Sequence, residues 1–192
     1  MIDFEILKKY NLDLSKNHIA NFDKSLFIKN NYSDTYGELT AEGLKKIFKS
    51  IDTENKIFYD LGSGTGNTIF RASINYKLKK CIGIELAHSR YIHSKKLLNT
   101  INCNFIKNKI DLKYGDILFE NISDADIIYL SNCCFSRETN QKISNKIKNT
   151  IQKECIIFCS KELFLDIEYE VLEISQSWSN KTNILKYSYI PS

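Results

Sequence analysis

Asp60, Gly62, Gly64 and Gly66 fall within one short stretch, KIFYDLGSGTGN at 56–67, and their spacing suits a ligand held by backbone. The stretch opens as an apolar run, Ile57-Phe58-Tyr59, the length of a buried strand. It turns through the three glycines and enters Asn67-Thr-Ile-Phe-Arg-Ala-Ser-Ile, which reads as a helix. Glycines at alternate positions let backbone pass close to a bound group, and the helix start behind them favours negative charge. A dinucleotide-binding turn would carry its third glycine at position 67, where this chain has Asn67. The spacing G-x-G-x-G with Asp60 in front fits instead a loop that holds S-adenosylmethionine.

Further polar residues stand at the ends of the apolar runs that follow. Glu85 comes 19 positions after Gly66, where a carboxylate can accept both hydroxyls of a ribose. Gly115-Asp116-Ile117 would bring a carboxylate to an adenine amine and an apolar side chain to its ring. The fourth run ends in Ser131-Asn132-Cys133-Cys134-Phe135.

These residues need a frame that brings strand ends together. From Lys56 onward strand and helix patterns alternate, which argues for a doubly wound, mostly parallel α/β sheet of Rossmann-like type. Expected strands are Ile57–Leu61, Cys81–Leu86, Asp111–Tyr114, Asp126–Ser131 and Cys155–Cys159. Expected helices are Asn67–Tyr76, His88–Leu98 and Ser136–Ile151, the last with Ile143, Ile147 and Ile151 inward and a solvated lysine face outward. Ile167–Ser175 and Ile184–Ile190 close the chain as an antiparallel hairpin, giving seven strands in all. In such a sheet a ligand sits at the carboxyl ends of the strands, near the point where strand order reverses.

Ahead of the sheet, residues 1–35 read as a short helical extension to a domain at 36–192. Phe4, Leu7 and Tyr10 recur at helical spacing, as do Ile19, Phe22 and Leu26. Thr40 is a candidate N-cap for a helix whose stripe is Leu44, Ile47, Phe48 and Ile51.

With 192 residues and a net charge of +4, the chain has the size of one domain and a mild bias toward acidic partners, nucleic acid included. No apolar run approaches the ~20 residues of a membrane span, and the N-terminus has no apolar core of a secretory signal. The expectation is an intracellular protein without membrane contact. The six cysteines form no C-x-x-C pair and no Cys/His spacing typical of zinc, so they read as small, mostly buried, reduced residues and no metal is expected. His18, His88 and His93 lie outside the motifs.

The combination resembles the class I S-adenosylmethionine-dependent methyltransferases. More narrowly, it is similar to the non-SET histone lysine methyltransferases of the disruptor-of-telomeric-silencing type. The resemblance spans roughly 35–190. It rests on Tyr36-Gly37-Glu38, on Asp60-Leu61-Gly62-Ser63-Gly64-Thr65-Gly66, on Gly83-Ile84-Glu85, and on Gly115-Asp116. The Asn132/Phe135 pair and Ser177-Trp178 ahead of a strand tyrosine, taken as Tyr187, complete it. The chain departs from the family in having Asn67 where an amide such as Gln is usual, a short N-terminal lobe and no long basic tail.

The resemblance implies methyl transfer from S-adenosylmethionine to a lysine amine on a histone or nucleosome, leaving S-adenosylhomocysteine, by a monomer associated with chromatin in the nucleus. A cytoplasmic location is the alternative. It implies donor contacts from Tyr36, Glu38, Asp60, Gly62, Gly64, Gly66, Asn67, Glu85, Asp116, Ile117 and Asn132. It further implies an acceptor channel in which Asn132 orients the amine and Phe135, Trp178 and Tyr187 form the walls. Alternative acceptors are RNA, a small amine or a non-histone protein. A donor-binding module without catalysis is a third reading.

Overall fold

The computed structural model describes residues 19–29, 32, 33, 35 and 37–191. The expected helix carrying Phe4, Leu7 and Tyr10, and the site residue Tyr36, lie outside the described residues. Among the described residues two helices precede the sheet, α1 (Asn21–Lys29) and α2 (Ala41–Lys49). The sheet strands are β1 (Ile57–Leu61), β2 (Lys80–Glu85), β3 (Ile110–Tyr114), β4 (Ile127–Leu130), β5 (Cys155–Cys159), β6 (Tyr169–Gln176) and β7 (Ser179–Tyr189). Between them run α3 (Asn67–Asn75), α4 (His88–Thr100), the single turn α5 (Asn104–Lys107) and α6 (Arg137–Thr150).

The strands form one sheet in the order β3-β2-β1-β4-β5-β7-β6. β1 to β5 are parallel, and β7 enters antiparallel between β5 and β6. The order reverses between β1 and β4, so the carboxyl ends of those strands flank the crevice where ligands bind in open sheets. The doubly wound architecture and the terminal hairpin are as expected.

Strand β1 shows how the pattern becomes layers. Phe58 packs on the face covered by α2, α3 and α4, with Phe48, Phe70 and Leu112. Tyr59 and Leu61 pack on the other face with Ile143, Ile147 and Ile151. Alternate side chains of a strand point to opposite faces, so both faces are core and the parallel strands read as unbroken apolar runs. Cys155 and Cys159 share one face with Ile157, while Cys81 lies in the other layer. Burial pushes the thiols of Cys81 and Cys155 up to about 12. Cys133 and Cys134 are exposed.

The cap of α2 is the expected one: the Thr40 hydroxyl accepts from Gly43 N at 3.0 Å. Two expectations shift. In α1 the buried residues are Asp23 and Phe27, not the stripe Ile19, Phe22 and Leu26, and Phe22 is 60% exposed. Asp23 sets this rotation, because its carboxylate accepts from His88 N and Ser89 N at 2.9 Å each and so caps α4. Fixing two orphan amides of another helix outweighs burying one more ring. The hairpin is also tighter than expected. The polar residues 179–183 pair in β7, opposite 173–176, leaving only Ser177-Trp178 as the turn.

Candidate donor site and its surroundings

The glycine loop leaves β1 with positive φ at Gly62, Gly64 and Gly66. Gly62 lines a cleft, and a Cβ built there would meet nothing within 4 Å. Its φ of 90° is what only glycine adopts cheaply, so backbone rather than side chain forms the floor. The amides of Gly62 and Ser63 both donate to Ile84 O at 2.9 Å, which ties the loop to β2.

Glu85 ends β2 and is 5% exposed. One carboxylate oxygen accepts from Gly64 N and the other from Ala87 N, each at 2.7 Å. Burial raises its pKa, opposed by those two amides and by the Arg90 cation. Each oxygen keeps a free lone pair direction for a further donor.

Asp60, the penultimate residue of β1, is 3% exposed. Burial, then the charges of Glu85 and Glu38, push its carboxyl up to about 8, against a hydrogen bond from Thr68. Glu38 accepts from Asn67 Nδ2 and, at 3.2 Å, from the Thr65 hydroxyl. Asn67 is itself 3% exposed, and its Oδ1 has no partner. Three carboxyl groups and an orphaned amide oxygen thus crowd one glycine loop, an arrangement that favours further N–H donors there.

At the far end of the cleft, Asp116 Oδ2 accepts from the Tyr32 hydroxyl at 2.9 Å and its Oδ1 from Leu118 N at 2.8 Å. Burial and the Asp116 contact push the Tyr32 phenol up to about 12. Phe27 and Tyr32 close this end, opposite Ile117 and Leu118, and Phe135 and Ser131 line the β4 side. Tyr32, Phe27 and Arg90 are cleft residues that sequence reasoning did not single out. A tyrosine inside the otherwise polar turn 30–34 was the available signal.

Gly62, Glu85, Asp116, Ile117 and Phe135 line one cleft. Gly64 joins it through Glu85, and Glu38, Asp60 and Asn67 cluster at the same glycine loop. The structure does not gather Asn132, Trp178 and Tyr187 with Phe135 into one channel. Asn132 is wholly buried, and its amide makes four bonds: to Asn140 Oδ1 (2.8 Å), to Lys161 O (3.0 Å), and from Ser160 N and Lys161 N (2.8 Å each). Every donor and lone pair of that amide is thereby used. Tyr187 is 1% exposed, pairs with Ile157 in mid-sheet, and its hydroxyl accepts from Leu163 N at 3.0 Å. Trp178 sits in the hairpin turn, 46% exposed. Eight residue steps along β7 lead from Ser179 to Tyr187, roughly 25 Å at the usual strand rise, so the two rings cannot face each other. Polar satisfaction and core packing claim Asn132 and Tyr187, where motif order alone had pointed to an acceptor wall.

Solved structures share this architecture. An RNA methyltransferase from Salinibacter ruber, in complex with S-adenosyl-L-homocysteine, superposes with a TM-score of 0.62 at 16% identity, covering 78% of this chain and 90% of that one. A putative methyltransferase from Escherichia coli does so at 0.60 and 13% identity, covering 77% and 84%. At such identities the likeness speaks for the fold alone.

Among sequences, "Histone-lysine N-methyltransferase, H3 lysine-79 specific" of Drosophila melanogaster is 22% identical over 170 residues, 82% of this chain and 9% of that protein. The proteins of that name from Eremothecium gossypii and Caenorhabditis elegans are 26% and 28% identical, over 67% and 68% of this chain. The chain spans no more than about a quarter of the length of these three relatives, 9%, 24% and 15%. The family description "Histone methylation protein DOT1" matches residues 25–191, from α1 to the end of β7, and the chain belongs to that family.

Proposed function

We propose that this chain transfers a methyl group from S-adenosylmethionine to a lysine amine of a histone, with the nucleosome as its working substrate in the nucleus. The observation that carries the donor reading is the cleft lined by Gly62, Glu85 and Asp116, with Glu38, Asp60 and the orphaned Asn67 Oδ1 clustered at the same glycine loop. The acceptor reading follows from membership of the family and from the histone-lysine relatives.

S-adenosylmethionine supplies an activated methyl group on a sulfonium and carries an ammonium beside it. The residues of the cleft suit both charges. Glu38, Asp60 and Asn67 Oδ1 would hold the ammonium, and Glu85 would accept the ribose hydroxyls through its free lone pairs. Asp116 would take the adenine amine and Ile117 and Leu118 would cover the ring. The chain need not supply a nucleophile, since holding two partners in line does much of the work. Phe135 gives the β4 side an apolar wall, which disfavours an ammonium and so favours the uncharged amine that attacks.

Calorimetric titration with S-adenosylhomocysteine, followed by transfer of labelled methyl to histone octamers, nucleosomes and RNA, tests both halves. Labelling of histone H3 is the expected result. Labelling of RNA alone overturns the acceptor; absence of any donor binding overturns the whole reading.

A further inference from the structure

We propose that the α4–α5–β3 flank binds single-stranded nucleic acid, stacking unpaired bases on exposed rings. This rests on a surface at the sheet edge opposite the β6–β7 hairpin and does not depend on the lysine reading. β3 is one edge of the sheet and β6 the other.

Charge is the first observation. Residues 88–114 hold six Lys and Arg against Asp111 alone, while the rest of the chain has 21 basic against 22 acidic residues. The whole positive excess of the chain therefore lies in this one segment. Arg90 is buried, leaving Lys95, Lys96, Lys107, Lys109 and Lys113 at the surface. Among the described residues Lys95, Lys96, Lys107 and Lys109 enter no ion pair, and Lys113 meets Glu120 only at 3.7 Å.

The rings are the second observation. At the carboxyl end of β3, His88 lies 5.1 Å from Tyr114 and 5.9 Å from Phe22 between centroids, and Tyr91 lies 5.7 Å from Tyr114. At its amino end Phe105 carries Lys109 Nζ 4.2 Å above its ring. Docking of α1 accounts for the Phe22–His88 contact, but not for the exposure of Phe22 (60%), Tyr114 (49%) and Phe105 (71%). Aromatic faces interleaved with lysines at two ends of one strand match a strand of nucleic acid, whose phosphates meet the cations while its bases stack. Bases in a duplex keep their faces covered, and an acidic peptide has no flat rings to offer, so the rings favour the unpaired polymer.

Fluorescence anisotropy with a labelled single-stranded RNA of mixed sequence tests this on the full chain, beside the same RNA as a duplex and a polyglutamate peptide. Binding should weaken as salt rises. Lys95→Glu/Lys96→Glu/Lys107→Glu should raise Kd about tenfold or more, and Phe105→Ala with Tyr114→Ala about tenfold. Lys142→Glu/Lys146→Glu on α6 should change it less than about twofold, as expected for exposed charges outside the footprint. Unchanged affinity for S-adenosylhomocysteine checks the fold of each variant. If the double aromatic variant does not fold, Phe105→Ala alone, at a ring outside the core, still reads stacking. No binding of the single strand overturns the proposal. So does equal affinity for duplex or polyglutamate, or an equal loss from the α6 variant.

Discussion

The indole of Trp178 occupies the space that a side chain on Gly37 would need: a Cβ at 37 would lie 2.0 Å from Cζ3 and 2.6 Å from Cε3 of the ring. Beside this contact, Glu38 N donates to Ser177 Oγ at 3.0 Å and Ser177 N to Glu38 O at 2.8 Å. The hairpin tip thus clamps the backbone from which Glu38 reaches Asn67 and Thr65. On the proposed donor reading, Trp178 would act on the donor side of the cleft through Gly37 and Glu38. Gly37→Ala and Trp178→Ala should each raise the donor Kd, by about tenfold for the loss of ~1.4 kcal/mol of positioning. Isothermal titration with S-adenosylhomocysteine measures it; a change confined to the KM for the acceptor would return Trp178 to an acceptor wall.

Glu85 offers a second test. Glu85→Gln keeps its shape but replaces one acceptor oxygen by a donor and removes the charge, so one of the bonds from Gly64 N and Ala87 N is lost along with a ribose contact. A charge-assisted bond contributes about 1.5–3 kcal/mol, so donor affinity should fall about tenfold or more. Unchanged affinity in a folded variant would place the ribose elsewhere.

What could be read from sequence, and what could not, divides by range. The glycine loop, the strand-end acids and the α2 cap are local patterns, and the structure has them where periodicity and spacing put them. The Glu38–Ser177 clamp joins residues 139 apart, and the Asp23 cap on α4 joins residues 65 apart. Neither partner carries a local sign of the other. The burial of Asn132 and Tyr187 was illegible for a related reason. A motif gives order along the chain, but whether a polar group faces a ligand or satisfies neighbouring backbone is decided by partners that fold in from elsewhere.

Asp60 should make both stability and donor binding depend on pH. Its folded pKa of about 8 stands above the carboxylate's usual value of ~4. Between those values the folded state holds a proton that the unfolded state has lost, so stability is fully present below ~4 and declines as pH rises toward 8. Asp60→Asn should flatten that decline in urea melts taken across the range. A cationic donor favours the ionised carboxylate, so donor affinity should strengthen as pH rises through about 8, with proton release that calorimetry in buffers of different ionisation enthalpy detects. An affinity flat from pH 6 to 9, with no proton released, would contradict an ionising Asp60 at the donor.

Tyr187→Phe separates fold from chemistry at the final strand. The variant leaves the buried Leu163 N without its acceptor, at a cost of about 1–3 kcal/mol in unfolding free energy. Turnover per folded molecule should stay within about twofold, since the ring and its packing remain. A large fall in kcat with unchanged stability would bring the hydroxyl into the reaction.

Asn132 allows the sharpest distinction between positioning and contact. Its amide links the end of β4 to Asn140 on α6 and to the backbone of Ser160 and Lys161 beyond β5. Its backbone carbonyl accepts from Phe135 N at 3.1 Å, closing the turn that leads to Phe135 on the cleft wall. Asn132→Ala would strand several buried groups and loosen that turn, lowering stability by about 3 kcal/mol or more and turnover with it. Asn140→Ala touches neither donor nor acceptor but removes one member of the same network. If Asn132 works through the network, the two variants should lower kcat in proportion to their loss of stability. Their combination should then fall short of additivity by about 0.5 kcal/mol or more in a double-mutant cycle. If Asn132 instead touches the acceptor amine, Asn132→Ala should abolish turnover while Asn140→Ala leaves it intact, and the cycle should close on simple addition.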